Sequence, residues 1–564
     1  MTPEEIRARI VDVVGRNGGH LASSLGAVEL ALALSRVFDP QTDRIVWDVG
    51  HQAYAWKILT GRDDRFDTLR RFGGLSGFPN PGESPADAAV AGHAGMALSV
   101  ALGMAAARDR KGSGEHVIAV IGDASMANGV SFEALNNCAA ATGKVIVVLN
   151  DNEMSISKPI GSFARFLGRL ITGVRYNRVK KAAEAAGHGL KLTFLRNIYH
   201  EIESRIKGLF LGSRYFEHFG LRYIGPIDGH DLKAVEDALT VAKEDKRSVI
   251  VHVVTKKGKG FAAAEREPTR FHGVGPFAIP APPKTGKSWS RAFGEAVTEL
   301  ARRDKRIVAL TAAMKDGTGL DIFAREFPER FFDVGIAEEH LAGFAAGLAA
   351  GGMRPVVAIY STFLQRAIDQ VFHDMAIAKL PVIIGIDRAG VVGADGVTHQ
   401  GLYDLALLRA IPNVVIAQPK DEEELKTILT EALERGGVTA IRYPRGDCPK
   451  KTELEDCGDK VAIWCTGDWA EKANRVAAKV GGKVVSPRYL KPVNRDLAER
   501  QRQAGMKIAA IENAAAIGGL GDAIGADLEF GWPDEFIPHG KVAELEKAYG
   551  LDAESISERI LANG

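Results

Sequence analysis

Two short apolar runs in this chain stop at residues able to grip a cation. Val117-Ile118-Ala119-Val120-Ile121 ends at Gly122-Asp123-Ala124-Ser125, and Val145-Ile146-Val147-Val148-Leu149 ends at Asn150-Asp151-Asn152-Glu153-Met154. A hard cation such as Mg²⁺ takes oxygen ligands and leaves coordination positions for phosphate and water. Asp123 and Asn152, 29 residues apart, are therefore candidates for a metal and diphosphate clamp. The alternative is two ordinary turns, because Asp and Asn are common turn residues.

Further residues with chemistry to offer stand at the ends of other expected elements. His20 follows Gly18-Gly19, and His51 follows Asp48-Val49-Gly50, both in Gly-flanked loops where a histidine is better placed for chemistry than for a core. Gly92-His93-Ala94-Gly95 precedes a run of small helix formers, Ala97 to Arg108, and a Gly-rich helix start offers N–H groups suited to a phosphate. Close helix packing through small residues is the alternative. Thr255-Lys256-Lys257-Gly258-Lys259-Gly260-Phe261 follows the apolar run Val249 to Val254, so its lysines either face solvent or face an anion.

These positions need strands and helices behind them. Continuous β-branched runs bounded by turn residues predict strands buried on both faces of a parallel sheet, and the helical composition of Val130 to Thr142 completes a βαβ unit. Both strands then deliver their terminal side chains to one carboxyl edge, where open α/β sheets bind ligands. Further strands are expected at Ile45–Asp48, Tyr223–Ile227, Val249–Val254, Ile307–Leu310, Val356–Tyr360, Val382–Ile386 and Val461–Trp464. Residues 163–215 are basic and helical in pattern, a helical insertion. Residues 275–287, with Pro276, Pro280, Pro282 and Pro283, form a Pro-rich linker. The fold class expected is α/β, in three α/β domains with mostly parallel sheets: 1–274, 288–448 and 449–564.

The 564 residues exceed what one core organises, and 46% hydrophobic with 25% charged residues is ordinary globular composition. A net charge of +1 gives no electrostatic case for nucleic acid or a membrane surface. The N-terminus shows no signal-peptide pattern, and the apolar stretch Phe344 to Tyr360 is broken by Gly pairs, Arg354 and Pro355. The four cysteines have no metal or redox spacing. A reduced, cytoplasmic enzyme is the expectation.

The segment Phe331-Phe332-Asp333-Val334-Gly335-Ile336-Ala337-Glu338-Glu339-His340, with Asp123 and Asn152, resembles the thiamine-diphosphate enzymes of the transketolase superfamily. Within it, the chain resembles the 1-deoxy-D-xylulose-5-phosphate synthase family. The narrower match runs through Trp47–Tyr54, Tyr223–Asp231, Tyr360–Arg366, Asp387–Gly390, Gly393–Gly401, Arg442–Gly446, Asn513–Gly519 and Phe536–Gly540. It covers nearly the whole chain and is weakest over residues 163–215.

The resemblance implies thiamine diphosphate and Mg²⁺ as cofactors, a homodimer, and decarboxylative condensation of pyruvate with D-glyceraldehyde 3-phosphate. It implies that Asp123, Asn152 and the main-chain oxygen of Met154 hold Mg²⁺. Gly92, His93, Ala94, Ala124, Ser125, His51, Lys257 and Phe261 would line the diphosphate and thiazolium, and Phe363 would stack on the aminopyrimidine. Glu338 would share a proton with the pyrimidine ring nitrogen, as a carboxyl whose pKa is raised by burial can. His20, His51 and His399 are the proton-transfer candidates, and Tyr360 and Asp395 would hold the intermediate. Arg388 and Arg445 would grip the acceptor's phosphate, with Arg366 nearby, because guanidinium matches phosphate bidentately. Arg366 and His272 are alternatively supporting residues.

The chain departs from the family pattern at three places. Gly92-His93-Ala94-Gly95 stands where Gly-His-Ser-Ser is usual, Ala124 where the superfamily has glycine, and Phe261 where tyrosine is usual. Ala124 lacks glycine's freedom at positive φ, so either the turn does not need it or strain is tolerated. Alternatives to the synthase are a transketolase, a 2-oxo-acid dehydrogenase component, and a catalytically silent relative.

Overall fold

The computed structural model describes residues 1–152, 161–168, 215–277 and 286–563. Met154, most of the expected helical insertion, and Pro280, Pro282 and Pro283 of the expected linker lie outside the described residues. The chain forms two compact units. One comprises Met1–Leu69 with Leu75–Ala281, and the other comprises Arg70–Gly74 with Pro282–Gly564.

The first unit is built on five parallel strands: β1 (Arg44–Trp47), β2 (Val117–Gly122), β3 (Ile146–Asp151), β4 (Arg222–Asp228) and β5 (Val249–Val254), in the order β1-β2-β3-β5-β4. Alternation along β2 divides its side chains between two apolar layers. Ile118 and Val120 pack with Ile6, Leu30 and Trp56 on one face, while Ala119 and Ile121 pack with Leu98, Ala101 and Leu135 on the other. That two-sided burial explains the unbroken apolar runs in the sequence. The helix Gly129–Ala141, capped by Asn128, connects β2 to β3 as the βαβ pattern requires. Parallel strands put Asp48, Asp123, Asn152 and Thr255 past the same ends of their strands.

The second unit holds two sheets. The larger has the order β14-β10-β11-β9-β8-β6-β7. Its members are β6 (Ile307–Thr311), β7 (Phe331–Asp333), β8 (Arg354–Tyr360), β9 (Ile383–Asp387), β10 (Val414–Ala417), β11 (Val438–Arg442) and β14 (Tyr489–Lys491). All pairings are parallel except β14 on β10. The smaller sheet is parallel, in the order β13-β12-β15-β16, from β12 (Val461–Cys465), β13 (Gly482–Val485), β15 (Lys507–Ala515) and β16 (Leu528–Trp532). The α/β class holds throughout, with strands at every position where an apolar run predicted one. Strand β14, three residues long and without an apolar run, had no such signal. Among the described residues, no helix is long and apolar enough to cross a membrane.

A buried polar network joins the two sheets of this unit. The guanidinium of Arg442, fully buried, donates to both carboxylate oxygens of Asp404 (2.9 and 3.0 Å) and to Gln418 Oε1 (2.7 Å). Gln418 and Asn513 each donate to Asp468, at 2.6 and 2.8 Å. Every charge removed from water in this network has a directional partner, which is the condition for burying it at all.

Beside it, Glu512 on β15 is fully buried and accepts the N–H groups of Leu520 and Gly521 (2.6 and 3.0 Å). Burial pushes its carboxyl from 4.5 up to about 7, against those two bonds and the Arg442 charge. A folded-state pKa raised in this way contributes stability that is fully present below about 4.5 and is lost as pH rises through about 7. Glu512→Gln keeps an acceptor and removes the charge. The native protein is expected to lose stability relative to this variant across that window, by on the order of 3 kcal/mol. Melting midpoints measured against pH check this; parallel curves for the two proteins would refute it.

Candidate active site

In the first unit the candidate clamp sits at the ends of β2 and β3. Asp123 opens the short helix Asp123–Met126, directly after Gly122, and is 6% exposed. Burial pushes its carboxyl up to about 7, the Asp151 charge adds to the rise, and Lys257 opposes it. Lys257 is itself 6% exposed, and burial brings its ammonium down to about 8, with Asp123 opposing. A desolvated carboxyl that also feels a second carboxylate's charge is one that a positive charge nearby would stabilise. Asn152 is half-buried just past β3, whereas Met154 lies outside the described residues. Ser125 is buried and Ala124 half-buried in the same helical turn.

The loop carrying Lys257 is held from behind. The Lys256 N–H donates to His230 Nε2 (2.8 Å), His230 Nδ1 meets Glu29 (3.1 Å), and Glu29 takes both carboxylate bonds from Arg7. His20, His51 and His272 form a triangle of rings, with centroids 5.9, 5.7 and 5.2 Å apart, and Phe78 lies 5.4 Å from His20. His272, which sequence reasoning left as a supporting residue, thus stands with the two candidate histidines.

The loop Gly92-His93-Ala94 is buried except for half-exposed His93 and leads into the helix Ala97–Lys111. The expectation of free amides at that helix start is corrected by Asp48. Its carboxylate accepts the N–H of Gly95 (2.9 Å) and of Ala97 (3.0 Å), so a protein side chain already satisfies both donors.

In the second unit Glu338 is the first residue of the helix Glu338–Ala350 and is 3% exposed. Burial raises its carboxyl pKa, opposed chiefly by Arg366, whose Nη1 lies 3.6 Å from Oε2. Phe363 stands between Tyr360 (stacked, 5.8 Å) and His399 (edge-on, 5.7 Å). Tyr360 also carries the Arg388 guanidinium 3.9 Å from its ring centroid. Thr362 Oγ1 donates to Thr398 O (2.8 Å), which ties the turn bearing Phe363 to the turn bearing His399, and Thr398 Oγ1 meets His399 Nδ1 at 2.9 Å.

Arg445 is pulled below its ordinary pKa by burial, then by Arg388, with Asp395 opposing and Arg70 adding to the fall. Arg70 also pairs with Asp395 at 2.6 Å. The structure therefore gathers Tyr360, Phe363, Arg388, Asp395, His399 and Arg445 into one neighbourhood and adds Arg70, which sequence reasoning missed. An Arg in a Gly-rich loop, 325 residues from its partner, carries no local pattern that could have found it. Arg366 lies against Glu338. An excess of guanidinium over carboxylate here suits a substrate phosphate.

Residues 2–255 match the family described as 1-deoxy-D-xylulose-5-phosphate synthase, and residues 285–451 match the transketolase pyrimidine-binding domain. A 1-deoxy-D-xylulose-5-phosphate synthase 1 of Geobacter metallireducens (strain ATCC 53774 / DSM 7210 / GS-15) is 46% identical over 99% of this chain and 95% of its own length. One from Natranaerobius thermophilus (strain ATCC BAA-1301 / DSM 18059 / JW/NM-WN-LF) is 45% identical over 99% and 94%. The chain belongs to the 1-deoxy-D-xylulose-5-phosphate synthase family. A solved transketolase from Campylobacter jejuni subsp. jejuni NCTC 11168 is 17% identical, with a TM-score of 0.46 over 99% of this chain and 98% of that one, too low a score to add to the sequence match.

Within the synthase family, the departures at Ala124, Phe261 and Gly95 have local explanations, and nothing in the structure explains Ala94. Ala124 lies inside a helical turn and is not among the residues with positive φ, so that turn does not need glycine. Phe261 packs against Phe271 and Phe277 (5.8 and 6.3 Å), an apolar cluster that fits a ring without a hydroxyl. Gly95 has φ +84, and a Cβ there would stand 2.5 Å from Asn128 Oδ1. A serine at this position would meet both backbone strain and a clash with the residue that caps the helix Gly129–Ala141. Gly95→Ser is expected to destabilise the protein by about 1–2 kcal/mol from the backbone alone, with the clash in addition. A thermal unfolding midpoint equal to that of the native protein would refute the constraint.

Proposed function

We propose that this chain catalyses the thiamine-diphosphate-dependent, decarboxylative condensation of pyruvate with D-glyceraldehyde 3-phosphate, giving 1-deoxy-D-xylulose 5-phosphate and CO₂. The observation that carries the reading is identity of 46% to a named synthase over 99% of the chain. The bound cofactor supplies a ring that accepts the electrons released when CO₂ leaves. The protein's own groups bind, orient and move protons.

Asp123, Asn152 and the main-chain oxygen of Met154 hold Mg²⁺ against the diphosphate. The buried, charge-crowded setting of Asp123 supports that role, since a cation relieves both the burial and the Asp151 repulsion. Lys257 adds a positive charge to the same anion, and Gly92, His93, Ala94, Ala124, Ser125, His51 and Phe261 line its surroundings.

Glu338, kept protonated to a higher pH than an exposed carboxyl, shares a proton with the cofactor's pyrimidine nitrogen. Phe363 stacks on that ring. Arg388 and Arg445 grip the aldehyde's phosphate, with Arg366 near Glu338. Tyr360 and Asp395 orient the reacting groups, and His20, His51 and His399 exchange protons with them. The same reading makes the protein a cytoplasmic homodimer of three α/β domains (1–274, 288–448 and 449–564) and assigns it no nucleic-acid or membrane partner.

The test supplies pyruvate with and without glyceraldehyde 3-phosphate, follows CO₂ and identifies the product. Turnover of xylulose 5-phosphate with ribose 5-phosphate instead would overturn the synthase assignment. Glu338→Ala is expected to lower the rate by roughly 10²-fold or more, the scale of a lost positioned proton donor; near-native turnover removes Glu338 from the mechanism. Asp123→Asn is expected to weaken Mg²⁺-dependent cofactor binding, and calorimetry showing unchanged affinity would remove it from the clamp.

A further inference from the structure

Strand β5 reads Val-Ile-Val-His-Val-Val, and its single polar side chain, His252, is fully buried. Its ring uses both nitrogens. Nε2 lies 3.0 Å from Asp151 Oδ2 on β3, and Nδ1 lies 2.8 Å from the Tyr223 hydroxyl on β4. A carboxylate only accepts, so Nε2 carries the proton and Nδ1 receives the phenol's. One imidazole thus joins three adjacent strands through two directional bonds.

Both neighbours of Asp151 in the chain bear on the clamp. Asn150 Oδ1 accepts the Thr255 hydroxyl at 2.6 Å, and the Thr255 N–H donates to Asp151 O at 2.8 Å, two residues before Lys257. Asn152 follows directly, one residue past the end of β3, so anchoring Asp151 fixes the strand end from which Asn152 leaves.

We propose that His252 is a positioning residue for the diphosphate clamp. Its Nε2–H fixes Asp151, Tyr223 fixes the ring's orientation, and the pinned strand ends hold Asn152 and Lys257 in register. The inference rests on the reading of the clamp given above. A histidine that merely fills the core would need neither partner to be specific.

The two amide replacements separate these cases. From the same backbone, the amide of Gln reaches the Nε2 position and keeps a donor for Asp151, whereas that of Asn reaches only the Nδ1 position beside Tyr223. In the full-length protein, titrated with Mg²⁺ and thiamine diphosphate in a calorimeter, His252→Asn is expected to bind about 10–100-fold more weakly, as for a lost supporting hydrogen bond, and His252→Gln within about threefold of native. Equal affinities for the two variants, whether both native-like or both weak, would overturn the proposal. Should neither variant fold, Tyr223→Phe decides: it takes the donor away from Nδ1, leaving the ring held at Nε2 alone and freer to turn, and is expected to weaken binding; native affinity for it would overturn the proposal. Failure of the native protein to take up Mg²⁺ and thiamine diphosphate would instead sink the functional reading on which the inference stands.

Discussion

Acidic side chains held out of water are the constraint around which this protein is arranged. Asp123, Asp151 and Glu338 are all nearly or fully buried, and a desolvated carboxylate is costly unless a charge or hydrogen bond offsets it. Each offset present has a consequence. Lys257 is drawn toward Asp123, His252 donates to Asp151, and Arg366 stands by Glu338. What these partners leave uncompensated shows in the two carboxyls themselves: Asp123 and Glu338 both hold their protons to a higher pH than exposed carboxyls do.

Parallel strands make this arrangement possible. Each crossover returns the chain to the same starting edge, so every strand of the first unit ends on the same side. Residues remote in sequence then gather without any one loop having to be long. In the second unit the same geometry places Tyr360 at the end of β8 and Arg388 directly after the adjacent β9. The Arg388 guanidinium lies over the phenol ring, and Phe363 stacks with the same ring. Arg388 adopts φ +60, a conformation costly for a side chain with a Cβ. The hairpin contact of Gly390 with Gly401 stabilises the loop in which it is held.

Much of this was legible from residue order alone. The apolar runs located β1 to β6, β8, β9 and β12 because burial on both faces demands unbroken apolar sequence, Asp123 and Asn152 were read from strand ends, and Glu338 from the family's motif. Three features resisted. Asp48 reads as the last residue of a strand, yet it takes the amides of Gly95 and Ala97 that a Gly-rich helix start offered to a phosphate. Strand β14 has three residues and no apolar run, and it exists because β10 presents an open edge. Arg70 has nothing local to mark it, and its part in the arginine group depends on a partner far along the chain.

The sequence by itself determined the class of fold, the places of the strands with clear apolar runs, and the residue types available for diphosphate, ring and phosphate, because periodicity and burial act locally. Only the tertiary structure decided which charges meet. Whether a carboxyl keeps its proton, whether an amide is free, and whether a histidine serves a core or a clamp depend on neighbours brought in from other strands. Pair energies between charges depend on distance and on exclusion of water, and neither is written along the chain.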